Sequence, residues 1–176
     1  MKTGAFSRAL FFFDRIQDLE VLGPSAHVAF QRAKERVEIL LTRDLVRQFP
    51  RAAGFFQKKS MPFAVTDSAR FFLGFTPRWE GVGVLITASE STARPHRLGH
   101  VLTKRANRRG VVTLTLQHGY ENIGLTYFDK SYPPESVRFA SKHVLIWGPR
   151  ENLHPSALEE TRRKCVSVGA VCQGRE

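Results

Sequence analysis

Short apolar runs separated by stretches of helical periodicity dictate what this chain can fold into. The runs are Ala9–Phe13, Val37–Leu41, Pro62–Thr66, Gly83–Thr87, Val111–Leu116, His143–Trp147 and Val166–Val171. Ala9–Phe13 and the run from Val111 read as buried strands, Pro62–Thr66 as a weaker one, and the others as strands bounded by polar or glycine-bearing residues. Between the first two, Ala26, Ala29, Phe30, Ala33 and Val37 recur at the spacing of one buried helix face. Asp14–Asp18 reads as the loop after the first run, and Pro24 suits the first turn of the helix that follows. Thr42 can cap the next helix, which carries Leu45, Val46 and Phe49, and Gly54 closes that region. Pro95 opens a basic helix reaching about Arg109, and Gly110 stops it. Ser156 and Glu159 have capping-box spacing for a helix over about 156–164. Strand and helix thus alternate from end to end. That predicts an α/β fold, an open parallel sheet with helices on both faces, as a single domain over residues 1–176.

Composition narrows the possible partners. With 42% apolar residues and 14 Phe among 176 residues, the chain can bury a real core and is not disordered. Its net charge of +11 points to an anionic partner: a polyanion, an acidic membrane surface or a phosphorylated substrate. No nucleic acid is expected, because the aromatics lie inside apolar runs and are not spaced as stacking platforms. No apolar stretch approaches the roughly 20 residues that span a bilayer. The start, Met1 to Gly4, lacks the apolar core of a secretory signal. Cys165 and Cys172 are expected to be reduced thiols of a cytoplasmic protein.

The segment Val111–Tyr120 carries the strongest functional signal. Its apolar run stops at Gln117, His118 and Gly119, and ligands of open α/β sheets sit outside the carboxyl ends of the strands. His118 can serve as a general base near neutral pH, or bind phosphate when charged. The alternative is a histidine that only satisfies loop carbonyls. Gly119 would let a substrate come close. Ser89, Glu90 and Ser91 end the preceding run. On the same rim, Glu90 would orient His118 and raise its pKa. Otherwise it would favour the positive start of the basic helix, with Ser91 or Thr92 as the cap. Glu121 is a second carboxylate candidate. No phosphate-binding glycine loop is present, since Gly81 and Gly83 precede a strand, and no cofactor is expected.

Arg94, Arg97, Lys104, Arg105, Arg108 and Arg109 contain no interleaved acid. On one helix they form a positive stripe, either a solvated face or a contact for anionic lipid head groups or a polyanion. His96 and His100 stand four apart, as two metal ligands could. No third ligand accompanies them, and no metal is expected.

Three stretches in order carry a resemblance: Leu116 to Tyr120 with its Gln-His-Gly turn, Ala140 to Gly148 ending in Trp-Gly, and Lys164 to Gly169. Together they resemble the amino-terminal domain of bacterial GT-B glycosyltransferases of surface polysaccharide synthesis, including the glycerophosphotransferases of teichoic-acid synthesis. Phe12–Leu19 and Ile86–Ser91 fit the same pattern, so the resemblance spans about residues 8–172. It implies a Rossmann-like sheet that is half of a GT-B architecture. It also implies a transferase that moves a sugar or polyol phosphate from a nucleotide-activated donor to a glycan or lipid-linked acceptor, usually without a metal. The amino-terminal domain of such enzymes mainly holds the acceptor. By position, His118 would face the interdomain cleft as base or phosphate-binding group, with Glu90 as a rim candidate. Gln117, Gly119, Ser89 and Glu121 would shape substrate binding. Arg97, Lys104, Arg105, Arg108 and Arg109 would meet a membrane or polyanion, so the expected location is cytoplasmic, peripheral to the inner face of the membrane. The carboxyl-terminal donor domain is absent from this sequence, so little turnover is expected of the chain alone. Holding both reactants together can contribute about 7–11 kcal/mol.

Two competing expectations come from other classes. One is a non-catalytic basic α/β module that binds a polyanion or an anionic membrane surface. The other is a small epimerase- or hydrolase-like enzyme using His118 with Glu90, which requires the two side chains to lie within hydrogen-bond reach.

Overall fold

The structure is a computed structural model, and it describes residues 8–73, 77–88, 90–117 and 134–169. The strands are β1 Arg8–Phe13, β2 Val37–Thr42, β3 Phe63–Thr66, β4 Val82–Thr87, β5 Val112–Leu116, β6 His143–Ile146 and β7 Cys165–Ser167. They form one sheet in the order β3-β2-β1-β4-β5-β6-β7, parallel at every pairing. Six α-helices lie among the described residues: α1 Ile16–Arg32, α2 Arg43–Gln48, α3 Pro50–Lys58, α4 Ser68–Phe72, α5 Arg97–Arg108 and α6 Glu159–Lys164. This is the expected Rossmann-like α/β fold, with an open parallel sheet covered on both faces.

The interior strand β1 shows why its run is apolar without alternation. Phe11 and Phe13 join Leu22, Ala26 and Phe30 of α1 and Phe56 of α3 on one face. Leu10 and Phe12 join Phe71 of α4 and Leu98 and Leu102 of α5 on the other. Successive side chains of a strand point to opposite faces, so a strand covered on both sides must be apolar at every position. Edge-to-face pairs fix the fit: Phe12 with Phe71 at 5.8 Å and Phe13 with Phe56 at 5.0 Å between ring centroids. Burial of each such side chain contributes roughly 1.5–3 kcal/mol. A third cluster, including Val137, Phe139, Val144 and Ile146, covers β6 and takes in Cys165. Burial pushes the Cys165 thiol up to about 11, and the thiol donates to the Thr161 carbonyl. Cys172 lies outside the described residues.

Several local expectations are corrected. Asp14–Asp18 is not all loop, because α1 starts at Ile16, and Pro24 sits inside that helix. The start is fixed by Asp18, whose carboxylate accepts the backbone N–H groups of Asp14 and Arg15 at 2.8 and 2.9 Å. Gly54 lies within α3. Thr42 does cap α2, accepting from the Leu45 N–H at 3.3 Å. Ser156 does not cap α6, which begins at Glu159. The Ser156 hydroxyl is engaged instead by the His154 ring. β7 ends at Ser167, short of the run expected to reach Val171. Gly110 adopts φ 75° just past α5, a conformation that suits glycine. Among the described residues no helix is long and apolar enough to cross a membrane.

Candidate functional site

The strand order reverses between β1 and β4. From β1 the chain builds β2 and β3 to one side, then crosses back to build β4 to β7 on the other. Connections that leave in opposite directions open a crevice at the carboxyl ends of the two strands, the usual ligand position in such sheets. Asp14 is the first residue after β1 and lines two hollows there, which also share Pro95. One, of about 490 Å³, is walled by Ser68, Phe72, Arg94, Arg97 and Leu98. The other, of about 330 Å³, extends past Gln17, Asp44, Gln48 and Phe49.

Asp14 is half-buried, and Asp18 anchors its backbone as described above. Burial pushes its carboxyl up to about 6, and the neighbouring charge of Asp18 adds to the rise. A hydrogen bond with Thr42 and the charge of Arg15 oppose it. Desolvation penalises the charged form, so the acid holds its proton to a higher pH. A group that changes charge near neutrality is suited to accepting or returning a proton. Arg94 and Arg97 stand at the other wall, both exposed. Neither forms an ion pair among the described residues. The first turn of α5 carries no acid, so this wall keeps a positive field beside a carboxyl that can ionise.

Glu90, expected on the rim, points inward and is 1% exposed. One oxygen accepts the Ala140 N–H at 2.8 Å and meets His100 Nδ1 at 2.6 Å. The other accepts the Ser141 N–H at 3.2 Å and the Ser141 hydroxyl at 2.8 Å. Thr92 continues the same seam: its N–H donates to the Arg138 carbonyl, and its hydroxyl accepts from the Arg138 N–H. Ser91 meets Nδ1 of the buried His96 at 3.0 Å. The loop after β4 therefore clamps residues 136–141 to the start of α5, and His96 and His100 are engaged in that clamp. Among the described residues no group of three or more His, Cys, Asp or Glu side chains could hold a metal ion.

Gln117 is buried, and its side-chain oxygen accepts the Trp147 N–H at 2.8 Å, tying together the ends of β5 and β6. Ser89, His118, Gly119 and Glu121 lie outside the described residues. In the basic stripe, Arg97, Lys104, Arg108 and Arg109 are exposed and Arg105 is half-buried. Arg97, Lys104 and Arg108 follow one another by seven and four positions, which puts them on one side of α5. The Arg109 guanidinium lies 5.9 Å from the centre of the Trp79 ring, a packing role as well as a charge. Sequence reading passed over Asp14. The available signal was an acid placed directly after an apolar first strand.

No protein-family model matches the chain, and no curated protein matches it. Among solved structures it is similar to the Pyrococcus horikoshii OT3 translation initiation factor eIF-2B, at 13% identity and a TM-score of 0.41. The match covers 62% of this chain and 39% of that one, and so slight a likeness carries no argument about activity.

Proposed function

We propose that this chain is the acceptor-side domain of a two-domain glycosyltransferase that passes a sugar or polyol phosphate from a nucleotide-activated donor to a glycan or lipid-linked acceptor. The observation that carries this reading is the switch-point crevice, where a carboxyl that burial pushes up to about 6 faces two arginines that form no ion pair among the described residues. An acceptor hydroxyl placed on Asp14 would give up its proton as it attacks. His118 remains the second candidate base, as the Gln-His-Gly resemblance implies. The test is transfer from nucleotide-activated sugars or polyols to glycan acceptors by the protein in its full reading frame. Asp14→Asn is expected to lower kcat by about 10²–10⁴-fold, the usual worth of a positioned base, and His118→Ala is compared beside it. Unchanged kcat in both variants would overturn this assignment of the base, and no transfer with any donor would overturn the reading.

A second reading rests on α5. Its exposed Arg97, Lys104 and Arg108 share one side of the helix, a geometry suited to the anionic inner face of a membrane. It predicts salt-sensitive binding to anionic vesicles that is lost when Arg97, Lys104 and Arg108 are neutralised together. Binding that is unaffected by salt and by these changes would remove it.

A further inference from the structure

The larger hollow has one basic wall, one acidic group and one aromatic surface. Arg94 and Arg97 supply the first. Arginine is the side chain best matched to phosphate, because its planar fork donates two parallel hydrogen bonds. Asp14 supplies an oxygen acceptor for a hydroxyl. Phe72 is 55% exposed while its neighbour Phe71 is buried, so its ring is open to a ligand and not used by the core. A volume of about 490 Å³ suits a small molecule, since such sites commonly span roughly 300–1,000 Å³.

We propose that this hollow takes a phosphorylated carbohydrate, with its phosphate against Arg94 and Arg97, a hydroxyl on Asp14 and its apolar C–H face on Phe72. The assignment rests on the acceptor-side reading and names the class of acceptor. Bare phosphate would gain the arginines but meet the charge of ionised Asp14. A sugar between the two lets a hydroxyl, and not an anion, face the carboxylate. The hollow therefore discriminates in favour of the ester over its two halves.

The experiment is calorimetric titration of the full chain with glucose 6-phosphate, glucose and inorganic phosphate, and with vesicles containing phosphatidylglycerol. Glucose 6-phosphate is expected to bind more tightly than glucose or phosphate. Arg94→Ala and Arg97→Ala are each expected to weaken it about tenfold, a loss of roughly 1.4 kcal/mol. Phe72→Ala weakens glucose 6-phosphate but leaves inorganic phosphate unchanged. Asp14→Asn weakens glucose 6-phosphate and strengthens inorganic phosphate. Lys58→Ala, at the exposed end of α3, changes nothing. Vesicle binding lost in the same Arg94 and Arg97 variants would assign the phosphate ester to a lipid head group. Glucose 6-phosphate binding no tighter than phosphate, or indifferent to both arginine changes, would overturn the proposal. Transfer activity without such binding sinks the substrate class alone, and binding without transfer sinks the transferase reading alone.

Discussion

Two carboxylates stand at the carboxyl edge of neighbouring strands and have opposite surroundings. Glu90, three residues past β4, is fully enclosed, and both of its oxygens are engaged. Asp14, directly after β1, is only half-buried, yet its carboxyl is pushed up to about 6. Enclosure alone therefore does not mark a reactive acid. A buried carboxylate that receives N–H and O–H donors is part of the scaffold, and one that lacks enough of them holds its proton longer.

Glu90→Ala tests the scaffold side of this contrast and should have the largest effect. It strands the N–H groups of Ala140 and Ser141 and the ring of His100, which should cost about 3–5 kcal/mol in urea unfolding. Ligand binding at the Asp14 hollow should persist in the fraction that remains folded. A loss below about 1 kcal/mol would mean that the clamp is not structural. Asp18→Ala comes next, at roughly 2–3 kcal/mol, because it frees two backbone donors at the start of α1. It should also disturb the crevice, since the turn that aims Asp14 depends on it.

Asp14→Asn should move stability the other way. The folded state holds the Asp14 proton up to about pH 6, above the ordinary 3.8. The unfolded chain therefore ionises first, and folding stability is lost as pH rises through that interval. The variant should match the wild type below about pH 4 and exceed it at pH 8 by on the order of 3 kcal/mol. Equal stability of the two proteins at pH 8 would count against a strained carboxyl. Ser141→Ala should have the smallest effect, about 1 kcal/mol in thermal unfolding, because Glu90 keeps its other donors. A loss as large as that of Glu90→Ala would show that the clamp depends on this one hydroxyl.

The sheet was legible in the sequence because its strands are short, largely apolar runs, and the limits of β2 and β5 fall within one residue of those runs. The start of α1 was not legible. Arg15 stands at the cap position, and the capping acid lies three residues inside the helix, so Pro24 looked like a beginning. Glu90 could not be read correctly, because its partners lie 50 and 51 residues further along the chain. Asp14 was hidden for a different reason. Its importance depends on β1 lying next to β4, and nothing local to Phe13 and Asp14 states which strand will be the neighbour.

The β1–β4 pairing joins Phe11 to Ile86, and both walls of the crevice depend on it. During synthesis, β1 emerges long before the strand that will shield its second edge. Its aromatic run must wait through the making of α1, β2, α3 and β3. Contacts so distant along the chain form slowly and leave sticky surface exposed meanwhile. The same seam that creates the site thus leaves the half-finished polypeptide with an open apolar edge that favours aggregation. Weakening the seam would show first as poor yield from the cell, before any defect in the purified protein.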